Sequence, residues 1–138
     1  MTTYIPETLR RQVIERGQGR CEYCRVHQDD RLFAHEIDHI FAEKHGGQTE
    51  IENLGLACGE CNRYKGSDLC SLDLETGLVV ALYHPRRDQW TEHFSVLDGI
   101  LEPLTATGRV TARLLHFNDA EAVDRRRLLI EAGRYPVS

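Results

Sequence analysis

The sequence has no surplus of positive charge, no long apolar run and no long linker, and each lack narrows what the protein does. Lys and Arg number 17 against 22 Asp and Glu, a formal net charge of −5 with histidine neutral. A protein that coats nucleic acid carries a basic surface to displace counterions, so this balance argues against a general nucleic-acid coat. It does not argue against a small catalytic site, which needs only a local positive patch and a metal ion. No stretch approaches the roughly 18 apolar residues of a membrane helix, so a membrane partner is not expected. The opening MTTYIPE lacks a basic stretch followed by an apolar core. A secretory signal is therefore not expected, and a cytoplasmic location is. Repeats and low-complexity tracts are also lacking. What remains is 138 residues, 41% hydrophobic and 28% charged, an ordinary globular mixture for one compact domain with an appended element.

Five cysteines make an odd count. Four fall into two C-x-x-C pairs, Cys21/Cys24 and Cys58/Cys61, and Cys70 stands alone. In a reducing compartment such pairs read as metal binding rather than as disulfides. Each pair presents two thiolates from one tight turn, and two such turns close a tetrahedral zinc site. Four thiolates leave no open position, so this zinc is expected to be structural and coupled to folding. The interval between the pairs exceeds the roughly 15–20 residues of a plain zinc ribbon, so the knuckles hold something between them. Cys70 reads as a buried free thiol.

The chain before the first pair, ETLRRQVIERG after Pro6, predicts a helix that starts at a proline and stops near Gly17. LFAHEIDHIF (32–41) predicts a short strand, Gly46-Gly47 a loop, Leu54 to Ala57 a second apolar strand, and 59–67 a helix. Beyond Cys70, Leu78 to Tyr83 reads as a strand. Phe94 to Glu102 reads as a hairpin turning at Asp98-Gly99. Thr107 to Phe117 and Asp119 to Ala132 read as amphipathic helices.

Between and just after the knuckles stand Ile37-Asp38-His39-Ile40, Lys44-His45-Gly46-Gly47, Asn53-Leu54 and Asn62-Arg63-Tyr64-Lys65. In this order, within residues 21–66, the pattern closely resembles the HNH endonuclease family. The run Tyr83-His84-Pro85-Arg86-Arg87-Asp88-Gln89-Trp90, with the helix near Gly108-Arg109, resembles a tail of stand-alone bacterial HNH proteins. The resemblance implies an α+β fold: a small ββα-metal (His-Me finger) core with a two-knuckle zinc site, an N-terminal helix, and a C-terminal hairpin plus helices. The core would span residues 1–70, and 71–138 would be a strand-and-helix extension packed on it.

By the same resemblance the activity is metal-dependent hydrolysis of DNA phosphodiesters, leaving 5′-phosphate and 3′-hydroxyl ends. Asp38 would be a carboxylate ligand of a catalytic Mg²⁺ or Mn²⁺, and Asn62 its second protein ligand. His39 would be the general base, and Asn53 would hold the loop and orient the histidine. Lys65, Arg63 and His45 would contact DNA. A hard dication keeps several waters and needs few protein oxygens, and imidazole suits a base near neutral pH. Adjacent residues on an ideal strand face opposite ways, so a twist or bulge is expected at Asp38-His39. Where many members carry proline after the Asp-His-Ile triplet, this chain has Ala42, a departure expected to affect the loop.

A different class remains open: a zinc-knuckle module that binds nucleic acid or protein without cutting, which the acidic balance suits. Several other residues have a plainer reading. His35 reads as a solvent-side strand residue, Trp90 and Phe94 as packing, and Arg125-Arg126-Arg127 as an exposed charged helix face. Arg86 and Arg87 read equally as a loop surface or a DNA track.

Overall fold

In the computed structural model, which describes residues 4–136, helices are mixed with three small antiparallel sheets of two strands each. The described residues fall into two compact units, the first ending at Ser67 and the second beginning at Asp68. Asp68, Leu69 and Cys70 therefore belong with the second unit. Among the described residues no helix is long and apolar enough to cross a membrane.

In the first unit, helix α1 (Glu7–Gly17) begins after Pro6, whose carbonyl accepts from Arg10 N. It stops where Gln18 turns left-handed at φ 56° and bonds back to Glu15 and Ile14. Its buried contribution is Val13, which packs with Leu54 and Leu56 to form a small core flanked by Leu9, Ile14, Ile37 and Ile51. Strands β1 (Glu36–His39) and β2 (Leu54–Ala57) pair from Glu36↔Ala57 to His39↔Leu54. All of β2 is buried, which explains its unbroken apolar run. Helix α2 (Gly59–Lys65) follows directly and packs on both strands.

The expected strand over 32–41 is shorter than predicted. β2 offers only four partners, and Leu32 and Phe33 lie outside the ladder, 89% and 79% exposed. The register runs unbroken through Asp38 and His39, so the strand carries no bulge there. The 46–47 turn needs its glycines for different reasons. Gly46 has φ 92°, where a side chain is strained. A Cβ on Gly47 would fall 1.7 Å from the Phe41 carbonyl oxygen.

In the second unit β3 (Cys70–Leu72) pairs with β4 (Val79–Ala81), and β5 (Phe94–Leu97) with β6 (Ile100–Pro103). Between β4 and β5 lies the short helix α3 (Trp90–His93). The second hairpin turns at Asp98-Gly99, both with positive φ, as the dipeptide predicts. Helix α4 (Ala106–Leu114) packs on β3, β4 and β6, and α5 (Ala120–Glu131) ends the described fold. Trp90 and Phe94 pack as expected, with ring centroids 5.0 Å apart and Phe117 5.5 Å from Phe94.

Two expectations are corrected in this unit. Cys70 is exposed, because it lies on the outward face of a two-stranded hairpin. The arginine triplet is not one exposed face: Arg126 is buried and donates to the carbonyls of Gly99 and Phe117. His84, given no role by the sequence, accepts from the amides of Arg86 and Arg87 and so fixes the loop that carries them.

Candidate active site

The two knuckles meet as the cysteine spacing predicts. Cys21, Cys24, Cys58 and Cys61 are all buried, and their sulfurs lie within 4.8 Å of one another. Zn–S bonds of about 2.3 Å arranged tetrahedrally put sulfurs about 3.8 Å apart, and Cys24 Sγ and Cys58 Sγ are 3.8 Å apart. The Cys24 and Cys61 amides point at the sulfurs of Cys21 and Cys58, each at 3.4 Å, the turn geometry that a C-x-x-C pair supplies. Burial pushes the Cys21 thiol up, and sharing with Cys21 and Cys24 pushes Cys61 up. Hydrogen bonds from Cys21 and Cys24 hold Cys58 down. Four buried thiols at this spacing resist becoming four anions; a dication reverses that preference. The cluster fits a structural zinc.

The knuckles are tied to the strands they flank. Glu22 N donates to Leu56 O at 2.7 Å, and Glu22 Oε2 accepts from Leu56 N at 2.8 Å. Cys58 caps the N-terminus of α2.

The face of β1 toward α2 carries two polar rungs. In the first, Asn62 Nδ2 donates to Glu36 Oε1 at 2.7 Å. In the second, Lys65 Nζ lies 3.2 Å from Asp38 Oδ2, and Tyr23 Oη donates to the same oxygen at 2.6 Å. Glu36 and Asp38 are two apart on a strand and Asn62 and Lys65 three apart on a helix, so each pair shares a face. Burial pushes the Asp38 carboxyl up, while the Lys65 ammonium and the Tyr23 hydroxyl oppose it. Burial and the Asp38 carboxylate push the Tyr23 phenol well up, so Tyr23 is a donor throughout the neutral range.

His39, next along β1, is directed to the loop between the strands rather than to α2. Its Nε2 lies 2.9 Å from Thr49 Oγ1 and 3.9 Å from Glu43 Oε1. Asn53 holds that same loop. Its Oδ1 accepts from Phe41 N at 2.9 Å, and its Nδ2 donates to Phe41 O at 3.0 Å and to Gln48 O at 2.9 Å.

The residues read as DNA contacts fare differently. Arg63 is exposed, its guanidinium 5.2 Å above the Tyr64 ring. His45 is exposed, with Nε2 3.1 Å from Ser67 O. Lys65 is corrected: it is 2% exposed and bound to Asp38 and to the Ile40 carbonyl at 3.0 Å, so its ammonium does not face a DNA strand. Its place on the inner face of a seven-residue helix explains this. His35 is also turned inward, 6% exposed, with Nε2 2.7 Å from the Val26 carbonyl oxygen. Burial holds its pKa down.

Three functional candidates escaped the sequence. Tyr23 sits inside the first C-x-x-C and reads as a knuckle residue. Glu36 shares a strand face with Asp38, a period-two signal that was available. Thr49 carries no signal, since only the folded loop brings it to His39.

A hard dication takes oxygen donors. Asn62 Oδ1 accepts no hydrogen bond among the described residues, and Asp38 stands one rung away with Oδ1 engaged only by Lys65 at 3.3 Å. A carboxylate has about four lone-pair sites, so Asp38 retains capacity for a cation, in competition with the ammonium. The donor set suits Mg²⁺ or Mn²⁺ in kind.

Comparison with known families adds one finding: the HNH endonuclease family model matches residues 21–68, the segment that holds both knuckles, β1, β2 and α2. No curated protein and no solved structure matches the chain.

Proposed function

We propose that residues 21–68 form a ββα-metal nuclease core, in which β1, β2 and α2 build a site that hydrolyses DNA phosphodiesters with one divalent cation. The observation that carries this reading is the placement of the Asp38-His39 pair on β1 against a zinc-type cluster, with Asn62 on the facing helix. The match to the HNH family over the same residues supports it.

In this reading Asp38 and Asn62 hold the cation, and Glu36 accepts from Asn62 Nδ2 so that the amide oxygen is presented. The bound cation supplies charge neutralisation at the phosphate and at the departing sugar oxygen. His39 takes the proton of the attacking water as general base. Asn53 clips the loop between the strands and so keeps the wall of the site in place. Arg63, exposed one helical step beyond Asn62, is the phosphate contact on α2, and His45 a second on the loop. The four thiolates hold structural zinc, which joins the two ends of this segment and suits a reducing, cytoplasmic setting.

The test is nicking of supercoiled plasmid with Mg²⁺ or Mn²⁺, comparing the wild type with His39→Ala. The reading expects metal-dependent nicking that the substitution lowers by about 10²-fold or more, the scale of a lost general base.

A second reading, a knuckle module that binds nucleic acid without cutting, is favoured by one observation: Lys65 already neutralises Asp38. A wild type that binds plasmid but leaves it intact across both metals would select that reading.

A further inference from the structure

A histidine base must keep a lone pair on the nitrogen that meets the water, and something must decide which nitrogen that is. Among the described residues, both partners of the His39 ring lie at Nε2: the Thr49 hydroxyl oxygen at 2.9 Å and a Glu43 carboxylate oxygen at 3.9 Å. Nδ1 has no protein partner among them. A hydroxyl can donate or accept, so Thr49 alone leaves the tautomer open. The ionised Glu43 carboxylate only accepts, and its negative charge favours a proton on the nitrogen it faces. Thr49 Oγ1 then accepts from Nε2–H, and the lone pair is left on Nδ1.

From this geometry we infer that Thr49, assisted by Glu43, is the positioning residue that fixes His39 as the Nε2–H tautomer and makes Nδ1 the nitrogen that accepts the water proton. The inference rests on the reading of His39 as general base. It also gives Asn53 a route to the histidine. Asn53 Nδ2 holds the Gln48 carbonyl at 2.9 Å, and Thr49 is the next residue, so the amide fixes the backbone that presents the hydroxyl. Asp38, the preceding residue on the strand, is electrostatically coupled to His39, and Lys65 at 3.2 Å offsets its charge. The ring is also partly shielded, with its side chain 17% exposed, so the hydroxyl has limited competition from water.

The experiment uses the full-length zinc-loaded chain. Thr49→Val is nearly isosteric and replaces the hydroxyl with a methyl group; Thr49→Ser keeps the hydroxyl. Single-turnover nicking is expected to fall roughly 10–100-fold in Thr49→Val, the range seen when a partner that orients a histidine is lost, and to recover in Thr49→Ser. Nitrogen-15 spectra of the neutral His39 ring are expected to show the proton on Nε2 in the wild type and a mixture of tautomers in Thr49→Val. Glu43→Gln is expected to shift the mixture in the same direction by less. A Thr49→Val protein that nicks at the wild-type rate, or a wild-type ring protonated on Nδ1, overturns the inference. His39→Ala nicking at the wild-type rate would instead remove the general-base reading, and the spectra would still decide the tautomer.

Discussion

Lys65 and Asp38 form an ion pair at 3.2 Å in which the lysine side chain is 2% exposed and the aspartate 4%. Two charges out of water tolerate each other only as a pair, and removing one partner of a buried pair typically costs about 3–5 kcal/mol. Lys65 also donates to the Ile40 carbonyl, so it joins α2 to the end of β1. Lys65→Met is therefore expected to destabilise the protein by an amount in that range, read from chemical denaturation. The same substitution frees the Asp38 carboxylate for a cation. Added Mg²⁺ should then raise the melting temperature of Lys65→Met more than that of the wild type. An equal or smaller rise would show that the ammonium does not compete with the cation for Asp38.

Asn53 offers a second test, because one amide closes three hydrogen bonds across the loop between β1 and β2. Asn53→Ala leaves the Phe41 amide and two carbonyls to find new partners. A buried polar group left unsatisfied costs about 1–3 kcal/mol. The expected result is a stability loss on that scale, with nicking reduced by more than the loss of folded protein explains. Measuring both on one preparation separates them. A variant of unchanged stability would mean that water replaces the amide.

The hairpin, both helices of the first unit and the cysteine cluster were legible because each is written in local pattern: a proline start, an apolar run, thiol spacing. The motif residues were legible as a set, but their pairing was not. A strand alternation places Asp38 and Glu36 on one face, and a helix places Asn62 and Lys65 on another, yet which faces which depends on the register between β1 and α2. That register decides that Asn62 meets Glu36 while Lys65 meets Asp38. A lysine after a knuckle reads as a surface cation for the same reason: sequence shows its charge, and only packing shows that α2 turns it inward. Thr49 is the extreme case, ten residues from His39 and brought to it by a loop whose shape rests on Gly47 and Asn53.

The thiols predict a chemical asymmetry. Cys70 is exposed on β3, whereas the other four are buried in one cluster. With zinc bound, a thiol reagent should modify Cys70 quickly and the four clustered sulfurs slowly; adding a chelator should release all of them. Cys70→Ser should abolish the fast phase without changing zinc content, and Cys58→Ser should lower zinc content and stability together. Zinc measured by elemental analysis, alongside the kinetics of modification, checks both. Full zinc occupancy in Cys58→Ser would contradict a four-thiolate site.

Acid should expose a different pair, in the second unit. Asp73 lies at the end of β3, 1% exposed, and Arg109 on α4 grips both of its oxygens, Nε to Oδ1 at 3.0 Å and the terminal nitrogen to Oδ2 at 2.9 Å. The guanidinium holds the Asp73 carboxyl far below the ordinary carboxylate range, with the Thr76 hydroxyl adding a further bond at 2.8 Å. The folded pKa lies under the unfolded value of about 3.9. The pair's contribution is therefore complete above that value and is lost as pH falls below it toward the folded pKa. Asp73→Asn removes the titrating group, so its stability should fall less steeply than the wild type's between about pH 4 and pH 2. Protonation of the cysteine cluster affects both proteins alike and drops out of the difference. Denaturation midpoints across that range supply the measurement, and parallel curves for the two proteins would show that Asp73 is not held low by Arg109.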